Sequence, residues 1–548
     1  MKKNTGALTS GAFAEALVKS CGFIDEEFDR PLIAVINSWN ELHPGHCHLR
    51  HIAEAVKTGV RIAGGTAFEC GTIALCDGLR SMRGQRNFLP SREVIADSIE
   101  LLADTYEPDG LVLISTCDKI EPANLMAAAR LNIPTVIVTG GAMAPGNYRG
   151  RDLTTDDVVA AQSGFWNDQI LSDEDRQGII DNIYETCGGC TGMGTANTMA
   201  CLIEAMGMSL PDMACTMAVD SKKIRLAKRS GIAVVDLVKR GIRARDVMSR
   251  AAIYNALRVN EAIGGSTNTF LHLPAIAHEL GWKLDIEEFD RIGKETPHIC
   301  DIIPSGPVNM LMLRNAGGIQ AVMKELESML DLSAITVTGK TIRENLMTAG
   351  NHDQGIIRSV TNPISPCGGH AVLKGSLAPE GCVIKQVACP AAMRSHKGPA
   401  QIFDCSEDAL MALNKGEIKS GSVIVIRYEG PRGGPGMREM LDITRALYSN
   451  NLHESVAVVT DGRFSGYSKG AVFGHVSPEA QVGGPIALIR NGDIIKYNIE
   501  ARSIDIELNN EELERRLREW TPKKLDTTGY LRRYAQMVSS STTGAVCL

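Results

Sequence analysis

The sequence predicts an α/β protein of two domains: an N-terminal, mainly parallel α/β sandwich over residues 1–355 and a C-terminal β-barrel-like domain flanked by helices over residues 356–548. A chain of 548 residues is too long to form one ordinary core. The first half alternates short β-branched runs with helical patterns, which is typical of a parallel sheet. A stretch between 355 and 400 is punctuated by proline and glycine and indicates a domain junction.

The N-terminal half is predicted to build its sheet from apolar strands with helices between them. In order, the elements are strand 31–36, helix 49–63, strand 110–116, helix 121–130 and strand 133–139. From 225 to 350 the pattern is mostly helical, with a glycine turn at 264–269. Open α/β sheets bind ligands outside the carboxyl ends of such strands, so the loops that follow these strands are the first candidates for a site.

The C-terminal half is predicted to be richer in strands. Apolar runs at 423–428, 455–460 and 485–489 are separated by glycine-rich turns and a few helices. A charged helix is expected near 510–520. Short strands at close spacing are typical of a barrel-like sheet.

The composition excludes several classes of partner. Hydrophobic residues make up 44% of the chain and charged residues 22%, as in soluble globular proteins. The net charge of -7, with both signs interspersed, predicts no nucleic-acid partner and no membrane partner. The N-terminus lacks the apolar core of a signal peptide, so we expect a cytoplasmic protein. In a reducing compartment the 15 cysteines are expected to stay unpaired, and a few to hold metal.

Three chemically different side chains follow one of the predicted strands. Cys117, Asp118 and Lys119 lie between strand 110–116 and helix 121–130. A soft thiolate, a hard carboxylate and an amine at a strand end favour a metal or catalytic site. For the tripeptide alone, the more common explanation is a buried cysteine followed by a surface ion pair.

A second candidate cluster is Cys187 and Cys190, two cysteines three positions apart on glycines and just before a predicted helix. Such a pair suits a redox dithiol, half of a zinc site or part of an iron–sulfur site. The chain has no second pair at this spacing, which disfavours zinc.

Other residues are weaker candidates. Cys47 stands among three histidines, although a core position at a helix entry explains it equally well, and Cys76 is similar. Asp77 lies between a strand-like run and a glycine. It is a suitable hard-metal ligand, although an aspartate before a glycine more often forms a turn.

The C-terminal half carries two candidate loops. The glycine- and proline-rich loop 427–440 precedes a predicted helix that bears Glu439, and it suits either the binding of an anion by backbone amides or the crossing of a domain edge. Ser465 lies in the loop that follows strand 455–460. It lacks the flanking pattern of a hydrolase nucleophile.

Together these segments resemble the dihydroxy-acid dehydratase and phosphogluconate dehydratase family. The motifs that carry the resemblance are 117–123, 187–193, 264–269, 429–439 and 460–466, in one order over essentially the whole chain. Segments 266–273 and 474–480 are more similar to the branched-chain amino-acid members than to the sugar-acid members.

The resemblance implies a hydro-lyase that dehydrates 2,3-dihydroxy carboxylates to 2-keto acids. The implied substrates are 2,3-dihydroxyisovalerate and 2,3-dihydroxy-3-methylvalerate, in valine and isoleucine biosynthesis. It also implies an iron–sulfur cluster, a divalent cation (Mg2+ or Mn2+) and a homodimer whose site lies between the two domains.

The resemblance further implies roles for four metal-site residues. Asp77, Asp118 and Glu439 would supply oxygen ligands to the cation, and Lys119 would be carbamylated. Removing a proton beside a carboxylate produces a highly charged enediolate, which requires a hard cation.

Cys117 and Cys190 match the family's cluster ligands, and Ser465 matches the proposed base. Family members with a two-iron cluster carry a third cysteine where this chain has Gly45. One possibility is that Cys47 moves in, and another is that a different thiol serves, with Cys187 the nearest and Cys76 a weaker alternative. A four-iron, oxygen-labile cluster is the expectation, and a two-iron cluster is the alternative.

Two rival functions stay open at this point. The segment 83–88 carries an additional arginine that would suit a larger polar acid, which keeps an aldonate or phosphogluconate dehydratase as a rival. The rival from another class is a non-catalytic iron–sulfur redox sensor that uses Cys187 and Cys190. It would not need the acidic residues and Ser465 together.

Overall fold

The computed structural model describes residues 11–548 except 80, 82, 156, 159, 160, 162–164, 167 and 168. The described helices are α1 (Ala12–Ser20), α2 (Leu49–Ile62), α3 (Phe88–Tyr106), α4 (Ile120–Leu131), α5 (Asp173–Asn182), α6 (Thr195–Ala205), α7 (Ser221–Arg240), α8 (Ala244–Val247), α9 (Arg250–Ala262), α10 (Thr269–Glu279), α11 (Ile286–Glu295), α12 (Met310–Asn315), α13 (Gly318–Glu325), α14 (Ile342–Asn345), α15 (Ser406–Asn414), α16 (Leu441–Ser449), α17 (Asn510–Glu519) and α18 (Gly529–Met537).

The described strands are β1 (Leu32–Asn37), β2 (Thr66–Gly71), β3 (Gly110–Ser115), β4 (Thr135–Thr139), β5 (Asn147–Tyr148), β6 (Arg151–Asp152), β7 (Phe165–Trp166), β8 (Gln169–Ile170), β9 (Ala371–Leu373), β10 (Gly381–Ile384), β11 (Ser395–Phe403), β12 (Val423–Ile426), β13 (Ala457–Thr460), β14 (Val472–Ser477), β15 (Ile494–Asn498) and β16 (Ser503–Ile506). None of the described helices combines the length and the apolar composition that crossing a bilayer requires.

The N-terminal sheet is parallel, as the sequence predicted. Its strand order is β2-β1-β3-β4, and each neighbouring pair is parallel. The side chains of β1, β3 and β4 are all buried. Helices cover the sheet: α2 packs against α7, and both contact it, while α4 packs between β3 and α3. Strands buried on both faces read as continuous apolar runs, which is why the sequence revealed them.

The C-terminal sheet has eight strands in the order β16-β15-β11-β12-β13-β14-β10-β9. An isolated bridge between Lys374, next to β9, and Ser503, the first residue of β16, joins the two edges. The sheet is therefore nearly closed, which confirms the barrel-like prediction. Along β12, Val423 and Val425 pack into the barrel interior, whereas Ile424 and Ile426 pack against outer residues that include those of α15 and α16.

One predicted strand is wrong. Residues Pro485–Leu488 form a 3-10 helix instead of a strand. Ile486, Ala487 and Leu488 are buried, so the run is as apolar as a core strand. Periodicity cannot separate such a short apolar run from a strand, and Pro485 favours the turn because it has no N–H to donate to a sheet.

Candidate metal and cluster site

Three carboxylates from distant parts of the chain meet at one point. One oxygen each of Asp77, Asp118 and Glu439 lies within 4.8 Å of the other two. Asp77 lies in the loop after β2, Asp118 follows β3, and Glu439 comes from the C-terminal half, just before α16. Three carboxylate oxygens at this spacing suit a hard divalent cation. The structure thus brings the three predicted acidic ligands together.

Lys119 is buried beside these carboxylates, with 1% of its side chain exposed. Its Nζ donates to Asp118 and lies 3.7 Å from Glu439 Oε1. The explanation of the tripeptide as a core thiol followed by a surface ion pair is therefore wrong. As an ammonium, Lys119 neutralises part of the acidic charge that gathers here.

Glu439 is held by two residues that the sequence reasoning did not single out. It lies in a short β-bridge with Arg463 and not on a helix as predicted, because α16 begins only at Leu441. Arg463 Nη1 and Asn268 Nδ2 both donate to Glu439 Oε1. Asn268 lies in the motif 264–269 and Arg463 in the motif 460–466, and this was the signal in the sequence that could have identified them.

The carboxylates of the acidic site repel one another. Burial, together with the charges of Asp118 and Glu439, raises the pKa of Asp77 to about 7. The positive charges of Lys119 and Arg463 only partly oppose this rise. A bound divalent cation would remove the repulsion and favour the ionised carboxylates, so the donor set fits such an ion.

A group of thiols adjoins the carboxylates. Burial raises the pKa of Cys117 well above its ordinary value, and it raises that of Cys190 to about 12. The charges of Asp77, Asp118 and Cys76 raise both pKa values further. The φ angle of Cys117 is +91°, a region that residues other than glycine rarely adopt. Thiols in such surroundings ionise when a metal binds them, so they fit iron ligands.

The other two predicted cluster cysteines form a separate group. Ligand atoms of Cys47, His48 and Cys187 lie within 4.8 Å of one another. Cys47 is exposed, and its Sγ donates to the carbonyl of Pro44 at 3.5 Å. Gly188 N donates to the same carbonyl at 3.0 Å, which ties the two segments together. The four predicted cysteines therefore fall into two pairs, Cys117 with Cys190 and Cys47 with Cys187.

Gly45 occupies the position between these pairs. A Cβ added there would lie 3.4 Å from the Cβ of Thr116 and 3.4 Å from the carbonyl oxygen of Gly188. Thr116 precedes Cys117, and Gly188 follows Cys187. A side chain at this position would thus enter the space between the two cysteine-bearing segments.

Ser465 is half-buried in the turn that follows β13. Its Oγ accepts a hydrogen bond from Tyr467 N at 3.3 Å. The hydroxyl of Tyr467 accepts from Gly192 N at 2.9 Å and also interacts with the Cys190 thiol. The turn that carries the predicted base is therefore in direct contact with the segment that carries a predicted cluster ligand.

The glycine- and proline-rich loop 427–440 is fixed by hydrogen bonds to a carboxylate of the same chain. The amides of Arg432 and Gly433 donate to the Glu479 carboxylate, so these donors already have an internal anion. Gly436 has φ +96°, and a Cβ there would lie 1.8 Å from the carbonyl oxygen of Arg86. The loop thus requires glycine at this position, and its rigid path sets the position of Glu439.

The segment expected to suit a larger acid is only partly described. Residues Arg83–Asn87 form a 3-10 helix before α3, and the side chain of Arg83 lies outside the described part of the chain. The positive charge of Arg86 interacts with the Glu407 carboxylate. Glu407 pairs with Arg438 and is not one of the clustered carboxylates.

Comparison with known proteins gives consistent results along the chain. The family model described as dihydroxy-acid/6-phosphogluconate dehydratase N-terminal matches residues 30–345, and the C-terminal model of the same description matches residues 355–545. A dihydroxy-acid dehydratase of Methanothrix thermoacetophila is 51% identical over 538 residues, 97% of this chain and 97% of that protein.

Two further relatives bear the same name. A dihydroxy-acid dehydratase of Methanosarcina barkeri is 49% identical over 537 residues, 97% of each chain. One of Clostridium kluyveri is 48% identical over 542 residues, 98% of this chain and 97% of that protein.

Proposed function

This chain belongs to the dihydroxy-acid/6-phosphogluconate dehydratase family, and from that premise we propose that it is a hydro-lyase converting 2,3-dihydroxy carboxylates to 2-keto acids. Its proposed substrates are 2,3-dihydroxyisovalerate and 2,3-dihydroxy-3-methylvalerate, in valine and isoleucine biosynthesis. The observation that carries the proposal is the meeting of Asp77, Asp118 and Glu439 beside the thiols of Cys117 and Cys190. A redox sensor would not require such a carboxylate site.

The residues that would hold the divalent cation, Mg2+ or Mn2+, are Asp77, Asp118 and Glu439. Lys119 would join them after carbamylation, which removes its positive charge and adds oxygen ligands. When bound, the cation neutralises charge on the substrate carboxylate and 2-hydroxyl, and the iron–sulfur cluster supplies a Lewis acid for the departing 3-hydroxyl.

Ser465 is the proposed base. Its alkoxide takes the proton from carbon 2, and those bonding electrons form the carbon 2–carbon 3 double bond while the bond from carbon 3 to its hydroxyl breaks. The departing hydroxide takes the proton of the 2-hydroxyl and leaves as water. Ser465 then returns its proton to carbon 3, which restores the alkoxide and gives the 2-keto acid.

Cys117 and Cys190 are the proposed cluster ligands, with Cys187 and Cys47 as further ligands. The electrostatic interaction of Cys76 with both thiols of the first pair supports Cys76 as an alternative third ligand. We propose a four-iron cluster, with a two-iron cluster as the alternative. Iron and sulfide analysis with Mössbauer spectra on anaerobically purified protein tests the cluster type, and a two-iron spectrum would contradict the four-iron proposal. The same analysis on serine variants of positions 47, 76 and 187 tests the further ligands. Unchanged iron content in a variant would show that the replaced cysteine is not a ligand.

The assembly and the compartment are also proposals. A homodimer is supported by helix α1. None of its residues is buried, and its apolar side chains Phe13 and Leu17 are 80% and 54% exposed, so they are available to pack against a second copy. Light scattering after gel filtration measures the mass of the assembly.

A cytoplasmic location is supported by the 15 cysteines, all of which are free thiols.

An anaerobic assay of 2-keto acid formation tests the function. We expect turnover of 2,3-dihydroxyisovalerate and little turnover of aldonates or 6-phosphogluconate. Preferential turnover of a sugar acid would support the rival dehydratase instead. No turnover of any substrate by protein with full iron and magnesium content would contradict the proposal.

A further inference from the structure

Lys385 is a buried lysine close to the proposed base. It follows β10 and is 4% exposed. Its Nζ donates to the carbonyl of Gly466, the residue after Ser465, at 3.3 Å. Lys385, Ser465 and Thr267 line one small cavity, together with residues that carry no charge. Lys385 and Ser465 therefore line the same small cavity.

The amine of Lys385 has fewer polar partners than those of the other buried lysines in the described part of the chain. Lys119 contacts a carboxylate, and Lys223 donates to the carbonyls of Thr139 and Met213. Lys385 has one long hydrogen bond and forms no ion pair within the described residues. A buried ammonium without an anion is costly, so this position favours an anionic neighbour or a neutral amine.

The charged groups that act on Lys385 are few. Burial lowers its pKa to about 7, the charge of Asp301 opposes this and that of Lys469 adds to it. The remaining lining residues of the cavity, Thr267, Val383, Phe464, Ser468, Val472 and Gly474, do not titrate. The amine can thus exchange a proton near neutral pH.

We propose that Lys385 is the positioning residue that lets Ser465 act as an alkoxide, by sharing one proton with its hydroxyl. The inference rests on the proposed role of Ser465. The Oγ–H bond of Ser465 breaks, its proton joins the lone pair of Nζ, and the resulting ammonium stabilises the alkoxide without any change in the net charge of the pair. The alkoxide then takes the proton from carbon 2 and later returns it to carbon 3, while Lys385 stays protonated.

The sharing of one proton sets the sign of the pH dependence. Below the pKa of Lys385 both members of the pair are protonated, so no base is available. Activity should therefore rise with pH through a limb near 7, the pKa of the Lys385 amine. Lys385→Arg keeps a cation that cannot accept the proton, so its limb should move to higher pH.

The test compares holoenzyme variants at equal iron content. Lys385→Met should lower kcat about 100-fold, with KM little changed and the limb near pH 7 lost. Lys397→Met, which removes an exposed lysine of the same domain, is the control and should behave as wild type. A Lys385→Met enzyme with more than a tenth of wild-type kcat and an unchanged limb would overturn the inference.

Chemical rescue separates this role from a merely structural one. Lys385→Ala leaves space for a small amine, so added ethylamine should restore part of kcat, increasingly at higher pH. Absence of rescue in protein that binds wild-type amounts of iron and magnesium would also overturn the inference. If wild type makes 2-keto acid and Ser465→Ala does not, while Lys385 variants do, only this inference fails. If wild type makes none, the proposed function itself fails.

Discussion

Single residues set the charge balance of the site. Arg463 is fully buried and contacts both Glu439 and Asn268, so it fixes the carboxylate that arrives from the C-terminal half. Three carboxylates face two cations here, Lys119 and Arg463. Removing Arg463 would leave the mostly buried Glu439 carboxylate without its closest charged partner, which costs several kcal/mol.

Ser465→Ala should reduce kcat about 100-fold or more, because the base is lost, while iron and magnesium content stay at wild-type levels. Metal analysis and steady-state kinetics on the same preparation measure both. Ser455→Ala, just before β13 at its opposite end, is the matched control. Equal activity of Ser465→Ala and wild type would contradict the role of Ser465 as base.

Gly45→Cys should place a third thiol between the two cysteine-bearing segments. The nearest neighbours of the added Cβ are at 3.3–3.4 Å, so the fold should adjust by a few tenths of an ångström. We expect slower loss of iron in air than in wild type, measured as iron per chain against time. Gly355→Cys on the surface is the control, and equal rates in the two variants would refute the expectation.

At the scale of elements, loops at strand ends position the chemistry. Asp118 follows β3, Ser465 follows β13, and the loop before α16 carries Glu439. In the N-terminal sheet, parallel strands bring the loops after β2 and β3 to one edge, which brings Asp77 and Asp118 together. Glu439 comes from the C-terminal half, so only the packing of the two halves brings it to them.

Gly436→Ala should displace the loop that carries Glu439. Its Cβ would overlap the carbonyl oxygen of Arg86, and its φ is unfavourable for alanine. We expect weaker Mg2+ binding, measured by calorimetry on the apoprotein. Gly416 also has a positive φ, +70°, but open space around its added Cβ, so Gly416→Ala should bind Mg2+ like wild type. Equal binding by both variants would show that the loop does not position Glu439.

The segment between β1 and α2 should make the fold sensitive to acid. His46 contacts the backbone of Ser38 and Thr116, and burial lowers its pKa to about 4. Because the unfolded chain binds a proton there from about pH 6.5 downward, stability should fall by up to about 1.4 kcal/mol per pH unit as pH drops towards 4.

His46→Asn should flatten this slope, measured by denaturant unfolding at pH 7 and pH 5. His51→Asn, an exposed histidine of α2, should leave the slope unchanged. A wild-type slope in His46→Asn would show that His46 is not responsible for it.

At the scale of the whole molecule, the C-terminal end is bound to the N-terminal half. Arg92 of α3 is fully buried, and its Nη2 donates to the carbonyls of Gly544 and Ala545 at 2.8 and 2.9 Å. It also contacts Glu93 and His272. The division of the chain at residue 355 stays a prediction, and these contacts show that the two halves do not pack independently.

Arg92→Met should destabilise the protein by about 3–5 kcal/mol, because Glu93 and two buried carbonyls lose their donor. The melting temperature should fall, and protease should release the C-terminal residues more readily. Arg229→Met on the exposed side of α7 is the control. An unchanged melting temperature for Arg92→Met would contradict this account.

The sequence by itself determined the fold class and the parallel sheet, because strands that are buried on both faces consist of continuous runs of apolar residues. It also determined which residues are candidates for the site, since their motifs lie at strand ends. Its errors, the strand at 485–489 and a helix bearing Glu439, came from short segments in which composition does not specify the backbone.

Only the tertiary structure decided which of these residues meet. Glu439 pairs with Arg463 and Asn268, Cys47 groups with Cys187, and Lys385 lines one cavity with Ser465. Each of these arrangements joins segments that are distant in the chain. Local sequence carries periodicity and turn chemistry, but distances across a sheet edge depend on how strands and loops from the two halves pack.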